Sequence, residues 1–140
     1  MEPAQNVSGW SKGASFGTVP AGTDFRLEFR FAGGVNGQTQ WWGMFGMDAS
    51  DPNFSYTTID YAIYLYYSGT RIYENGSYRG QFGGAAAIGD VFEVVRTGTV
   101  VTYKKNGAVF YTSTVPSSAA MVFDSSIYRN ATIDNISLEF

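Results

Sequence analysis

The sequence predicts an all-β protein, an antiparallel β-sandwich. Three observations carry this. Apolar and polar residues alternate with period two in stretch after stretch, which is the pattern of half-buried strands. Turn residues recur at intervals of roughly ten positions, among them Asn75-Gly76 and Asn106-Gly107. The composition suits strands and turns rather than helices: aromatics make up 17% (3 Trp, 10 Tyr and 11 Phe), there are 17 Gly, and only 15% of residues are charged.

The elements follow in order. Phe25, Leu27, Phe29 and Phe31 fall on one face of a strand, with Arg26, Glu28 and Arg30 on the other. Gly33 to Gly37 is read as a turn. Thr39 to Met47 is the next strand, with Trp42 and Met44 opposed to Trp41 and Phe45. Asp48 to Asn53 is a loop, because Pro52 and its Asx neighbours break ladders. Asp60 to Tyr67 is a strand with Tyr61, Ile63, Leu65 and Tyr67 on one face and Ala62, Tyr64 and Tyr66 on the other. Ser68-Gly69-Thr70 turns the chain, Arg71 to Glu74 continues it, and Asn75-Gly76 turns it again. After the Gly- and Ala-rich 83–89 stretch, Asp90–Arg96 and Val100–Lys105 flank Thr97-Gly98-Thr99. Asn106-Gly107 then joins Val100–Lys105 to Ala108–Thr112, since both residues tolerate the positive φ of a type I′ hairpin turn. Ser117 to Met121 is the one place for a short helical turn. Thr132 to Phe140 closes the chain as a strand.

A chain of 140 residues has the usual size of one globular domain. No linker, charge block, low-complexity run or internal repeat divides it, so residues 1–140 are read as a single β-sandwich domain. The net charge of −3 and a pI near 4.7 leave no basic face for a nucleic-acid partner. There is no Cys and no His, which removes thiolate chemistry, disulfides and the commonest general base. No apolar run approaches the ~18 residues of a membrane helix, so no membrane partner is expected. The segment Met1 to Gln5 lacks the basic and apolar regions of a signal peptide. It reads equally as a natural start or as the cut edge of a longer secreted protein.

Two segments carry a family resemblance. One is Gly89-Asp90-Val91-Phe92-Glu93-Val94-Val95-Arg96 followed by Val100 to Lys105, Asn106-Gly107 and Val109 to Ser113. It resembles the concanavalin A-like lectin/glucanase superfamily, whose laminin G-like and SPRY-like members have a strand opening in "GD" and a later strand ending in "Y-x-x-N-G". The other comprises Tyr61-Ala62-Ile63-Tyr64, Ile72 to Gly76 and the closing Ala131 to Leu138. It is similar to modules of this type in bacterial surface and secreted proteins. The resemblance spans roughly residues 20–140 and implies a jelly roll of two antiparallel sheets, one concave and one convex.

The superfamily includes glycoside hydrolases, and retaining hydrolysis needs two carboxylates about 5 Å apart. Its enzymes carry a Glu-x-Asp-x-x-Glu strand motif. Here none of Glu2, Glu28, Glu74, Glu93 and Glu139 has an acidic residue two positions away. Glu28 and Glu93 are expected on polar strand faces beside arginines, and the protein is read as no enzyme, although distant carboxylates remain free to meet across strands.

Aromatic residues point instead to binding. Flat indole and phenol rings stack on the apolar C–H faces of sugars while their polar tips make hydrogen bonds. Of Trp41 and Trp42, one is expected in the core and Trp42 outside it. The expected ligand-binding residues are Trp42, Tyr64, Tyr66 and Arg71 on the concave sheet, with Asp51, Tyr56 and Tyr78 at the rim. Arg71, Tyr73, Tyr78, Arg79 and Gln81 surround the Asn75-Gly76 turn in a composition common both to binding surfaces and to ordinary surface cation–π contacts. For any one ring, core packing is the plainer alternative.

The oxygen-rich 48–53 stretch offers Asp48, Asp51 and Asn53 as Ca²⁺ ligands, although its spacing matches no known calcium loop; otherwise no cofactor is expected. Asp134, in the closing Ile133-Asp134-Asn135-Ile136, is a further candidate, with a buried, backbone-bonded role as its alternative. Five of the seven Asn begin Asn-x-Ser/Thr (Asn6, Asn53, Asn75, Asn130 and Asn135), a sign either of glycosylation or of turns rich in these residues.

Taken together, the residues and the resemblance predict a non-catalytic carbohydrate-binding or adhesion module. Its partner would be a glycan or other cell-surface ligand, in an extracellular or cell-surface setting, within a larger multidomain protein. The alternative is a structural β-sandwich subunit of a surface assembly or viral particle, with the aromatics forming protein–protein contacts. Because charge is sparse, binding is expected to depend little on salt.

Overall fold

The computed structural model describes residues 17–49 and 59–140, together with the backbone of residues 5–7. Among them lie the strands β1 (Gln5–Val7), β2 (Phe25–Gly34), β3 (Trp42–Asp48), β4 (Tyr61–Tyr66), β5 (Gly69–Glu74) and β6 (Ser77–Gln81). They continue with β7 (Val91–Thr97), β8 (Val100–Lys105), β9 (Ala108–Thr112), β10 (Val122–Arg129) and β11 (Ala131–Glu139). A six-stranded sheet runs β1-β11-β2-β7-β8-β9, and a five-stranded sheet runs β10-β3-β4-β5-β6. Every pairing is antiparallel. The fold is therefore the expected all-β, two-sheet jelly-roll sandwich.

Alternation decides what lies between the sheets. Phe25, Leu27, Phe29 and Phe31 of β2 are buried, and Tyr61, Ile63 and Leu65 of β4 meet them from the other sheet. The Phe29 ring stands 5.5 Å from Phe45 of the facing sheet and 5.8 Å from Phe92 on its own. The two predicted Asn-Gly hairpin turns have the positive φ pair of a type I′ turn: 51° and 81° at Asn75-Gly76, 50° and 86° at Asn106-Gly107.

The structure departs from the expected elements in several places. β2 runs on through Gly33 and Gly34, and the turn is Val35–Gly37, with Asn36 and Gly37 at φ of 52° and 73°. β3 begins at Trp42 rather than Thr39. β5 begins at Gly69, so Tyr67 and Ser68 make the turn. β6 and β10 were not expected, because Ser77–Gln81 and Val122–Arg129 hold few of the apolar residues that make alternation visible. Ser117 to Met121 forms no helical turn; Met121 bridges Val19 instead. The fully buried Arg96 holds this region. Its guanidinium donates to the carbonyls of Pro20, Thr23 and Ala119 and to the Ser117 hydroxyl, tying two loops to β7. Burial pulls its pKa down, and the nearby Asp24 offsets this only in part.

Candidate functional site

The outer face of the five-stranded sheet carries rings where the outer face of its partner carries charges. Strand register arranges it in rows. In the first, Arg129 of β10 stands opposite Trp42 of β3, which stands opposite Tyr66 of β4. In the second, Ser126, Met44, Tyr64, Arg71 and Gln81 follow one another across all five strands. In the third come Asp124, Gly46, Ala62, Tyr73 and Tyr78.

Trp42 is the hub of the first row. Its ring lies 5.3 Å from Tyr128 at an interplanar angle of 13°, a parallel stack, and 5.7 Å and 5.9 Å from Tyr66 and Tyr67. It is half-buried and makes no contact with the inter-sheet core, whereas Trp41 packs there against Phe31 at 5.1 Å. Tyr64 connects the rows, 5.7 Å from Tyr66 and edge-on to Tyr73 at 5.4 Å. Tyr73 in turn lies 5.4 Å from Tyr78. The depression between these rings has a volume of about 350 Å³ and is lined by Trp42, Met44, Tyr64, Tyr73, Ser126 and Tyr128. Loss of water around Tyr64, with Tyr73 and Tyr66 adding repulsion, pushes its phenol pKa up to about 12. A hydrogen bond with Tyr66 raises that of Tyr67. These phenols stay neutral at ordinary pH and so serve as donors and acceptors at the edge of an apolar surface.

The strands thus bring Trp42, Tyr64, Tyr66, Arg71 and Tyr78 onto one face. Asp51, Tyr56 and Asn53 lie outside the described residues. Asp48, which shares this outer face at the end of β3, is buried. Sequence reasoning did not assign Tyr67, Tyr128, Arg129 or Ser126 to the site. The signal for Tyr128 is the alternation of Phe123, Ser125 and Ile127 against Asp124, Ser126 and Tyr128. It is faint because Ser125 occupies an inward position and a bulge interrupts β10 after Ile127.

The carboxylates are distributed between the sheets. Glu28 and Glu93 are direct cross-strand partners on the six-stranded sheet. Arg26 binds them, at 3.7 Å and 3.3 Å, and also pairs with Glu139. Arg30 grips both oxygens of Asp134, at 2.6 Å and 2.7 Å, and holds that carboxyl below its usual range. Among the described residues Asp134 is thus an arginine partner on a half-buried strand position. On the aromatic face, Asp48 and Asp124 occupy diagonal positions on β3 and β10. A second depression, about 400 Å³, includes Tyr61, Glu74, Arg79 and Ser117 in its lining. Its charges are engaged: Arg79 bonds Glu74 at 3.1 Å, the Tyr103 hydroxyl donates to the other Glu74 oxygen at 2.8 Å, and Asp60 accepts from the Ala49 N–H at 3.0 Å.

No protein-family model matches the chain, and no curated protein sequence does. Solved structures do match. The carbohydrate-binding module CBM66 from Bacillus subtilis aligns with a TM-score of 0.58 at 15% identity, over 98% of this chain and 95% of its own. The carbohydrate recognition domain of Emp46p aligns with a TM-score of 0.60 at 12% identity, over 87% of this chain and 73% of that one. The alginate lyase AlgAT5 of polysaccharide lyase family 7 aligns with a TM-score of 0.51 at 13% identity, over 94% of this chain but 58% of the lyase. At these identities the likeness shows the fold alone, a two-sheet antiparallel β-sandwich that binding modules and enzymes share.

Proposed function

We propose that the protein is a non-catalytic carbohydrate-binding module that takes a glycan on the aromatic face of its five-stranded sheet. The observation behind this reading is the outward-facing aromatic row, with half-buried Trp42 held between Tyr66 and Tyr128 outside the core. Rings fixed by their neighbours offer stacking area at little entropic cost, and the phenols beside them supply hydrogen bonds. The sugar-binding proteins among the structural matches support the same reading. The finer parts of the proposal are an extracellular or cell-surface setting, membership of a larger protein, and a rim formed by Asp51, Tyr56 and Tyr78.

The test is a glycan array followed by calorimetric titration of the best ligand. Trp42→Ala and Tyr66→Ala should each weaken binding by ~1–3 kcal/mol while the domain stays folded. Absence of any glycan binding, combined with self-association through the aromatic face, would favour the assembly-subunit alternative. Running the titration with Ca²⁺ and again with EDTA tests Asp48, Asp51 and Asn53: equal affinities take the ion out of the proposal. Catalysis is tested on the same ligand. No bond cleavage is expected; activity abolished by Asp48→Asn or Asp124→Asn would contradict the non-catalytic reading, because among the described residues these are the carboxylates on the ligand face.

A further inference from the structure

The arginines of this chain divide into two groups. Arg26, Arg30 and Arg79 each lie within 4 Å of a carboxylate, and Arg96 is buried on carbonyl groups and a hydroxyl. Arg71 and Arg129 have no carboxylate partner among the described residues, and both are on the aromatic face. The Arg71 guanidinium lies 4.4 Å from the centre of the Tyr66 ring, and that of Arg129 lies 5.6 Å from the Trp42 ring. They bracket the Trp42–Tyr66 pair from β5 and β10, three strand spacings apart, or about 14 Å between backbones.

Arg71 is positioned with care. Its Nε donates to Gln81 Oε1 at 3.0 Å. Gln81 lies over Gly69, where a Cβ would come within 2.3 Å of the Gln81 side chain. The two terminal amino groups of Arg71 make no hydrogen bond within the described residues, so a ring and a tether orient the fork while its donors stay open. Such a fork matches the paired oxygens of a carboxylate or sulfate, and fixing it beforehand lowers the entropic cost of using it. Among the described residues, the acidic residues of this face are Asp124, on β10 at the far edge of the sheet from Arg71's side, and Asp48, at the end of β3 away from Trp42. The chain as a whole carries a net charge of −3. A positive end on a negative protein is a local device for selecting an anion rather than general attraction.

We infer that the glycan is acidic, with a carboxylate or sulfate on a sugar ring received by Arg71 and Arg129 at the Trp42–Tyr66 end of the site. This rests on the glycan-binding reading above, and it replaces the expected salt independence of binding with a moderate salt dependence. The test titrates matched pairs: oligogalacturonate against its methyl ester, alginate oligomers against their carboxyl-reduced form, and heparin fragments against their desulfated form. Neutral cello-, manno- and fructo-oligosaccharides are titrated beside them. In at least one pair the charged member should bind about tenfold or more tighter, and which pair does so tells carboxylate from sulfate. That preference should shrink severalfold in Arg71→Gln and Arg129→Gln and when NaCl rises from about 50 to about 500 mM. It should persist in Arg30→Gln, which removes the same charge from the other sheet. Tight binding of neutral glycans with no gain from charge, or a preference unaltered in both glutamine variants, would overturn the inference and leave the glycan reading standing. Binding of no glycan of either kind would overturn both.

Discussion

Asparagine at positive φ is the residue-scale signature of this chain. Every non-glycine residue with positive φ among the described residues is an asparagine: Asn36, Asn75, Asn106, Asn130 and Asn135. Their short amides tolerate the left-handed region, which β-branched residues resist. This gives a conformational reason for three of the five Asn-x-Ser/Thr sequences, since Asn75, Asn130 and Asn135 occupy turns or a bulge. The Asn-Gly turns were legible because the dipeptide declares them; Asn135 was not, because a bulge inside β11 has no such mark. Replacing Asn106 or Gly107 with Val should cost about 1 kcal/mol or more in chemical denaturation. An unchanged midpoint in both variants would contradict the turn geometry. Tyr64 makes a second residue-scale prediction. Its pKa in the folded state is raised from 10.0 to about 12, so folding favours the neutral phenol. That contribution is whole below about pH 10 and is lost as pH climbs through about 12. Unfolding monitored across this window should show stability falling, and Tyr64→Phe should reduce the fall.

Among elements, β2 and β4 were readable because each buries one face and wets the other. β6 and β10 are edge strands whose inward positions include Ser125 and Gly80, so alternation fails exactly where apolar side chains are missing. That loss hid Tyr128 and Arg129, and with them one end of the candidate site. The element-scale prediction concerns the contact between sheets. Phe29 of β2 is fully buried and touches both Phe45 and Phe92. Phe29→Ala should therefore cost about 3–5 kcal/mol, read from urea unfolding. By contrast Tyr128 is 78% exposed, so Tyr128→Ala should change the unfolding free energy by no more than about 0.5 kcal/mol while weakening glycan binding. A large stability loss in Tyr128→Ala would mean that the aromatic row holds the fold together rather than serving a ligand.

For the whole molecule, two sheets with unlike outer faces divide the labour. The six-stranded sheet shows an arginine–carboxylate network through Arg26 and Arg30, and the five-stranded sheet shows rings. The sandwich was legible from period-two patterning, and Trp42, Tyr64 and Tyr66 followed from alternation along single strands. What alternation does not give is which strands become neighbours. Pairing of β3 with β10 places Tyr128 beside Trp42, and pairing of β4 with β5 places Arg71 over Tyr66.

The most direct test of glycan binding on this face is a nuclear magnetic resonance titration that follows the indole N–H signals of the tryptophans. Trp42 and Trp41 are adjacent in sequence but sit on opposite faces of the five-stranded sheet, so they report separately on ligand and core. A bound glycan should shift the Trp42 signal saturably, together with the amides of Tyr64, Tyr66 and Tyr128, while Trp41 stays in place. Saturable binding that leaves Trp42 and these amides unmoved would contradict the account by putting the site elsewhere on the sandwich.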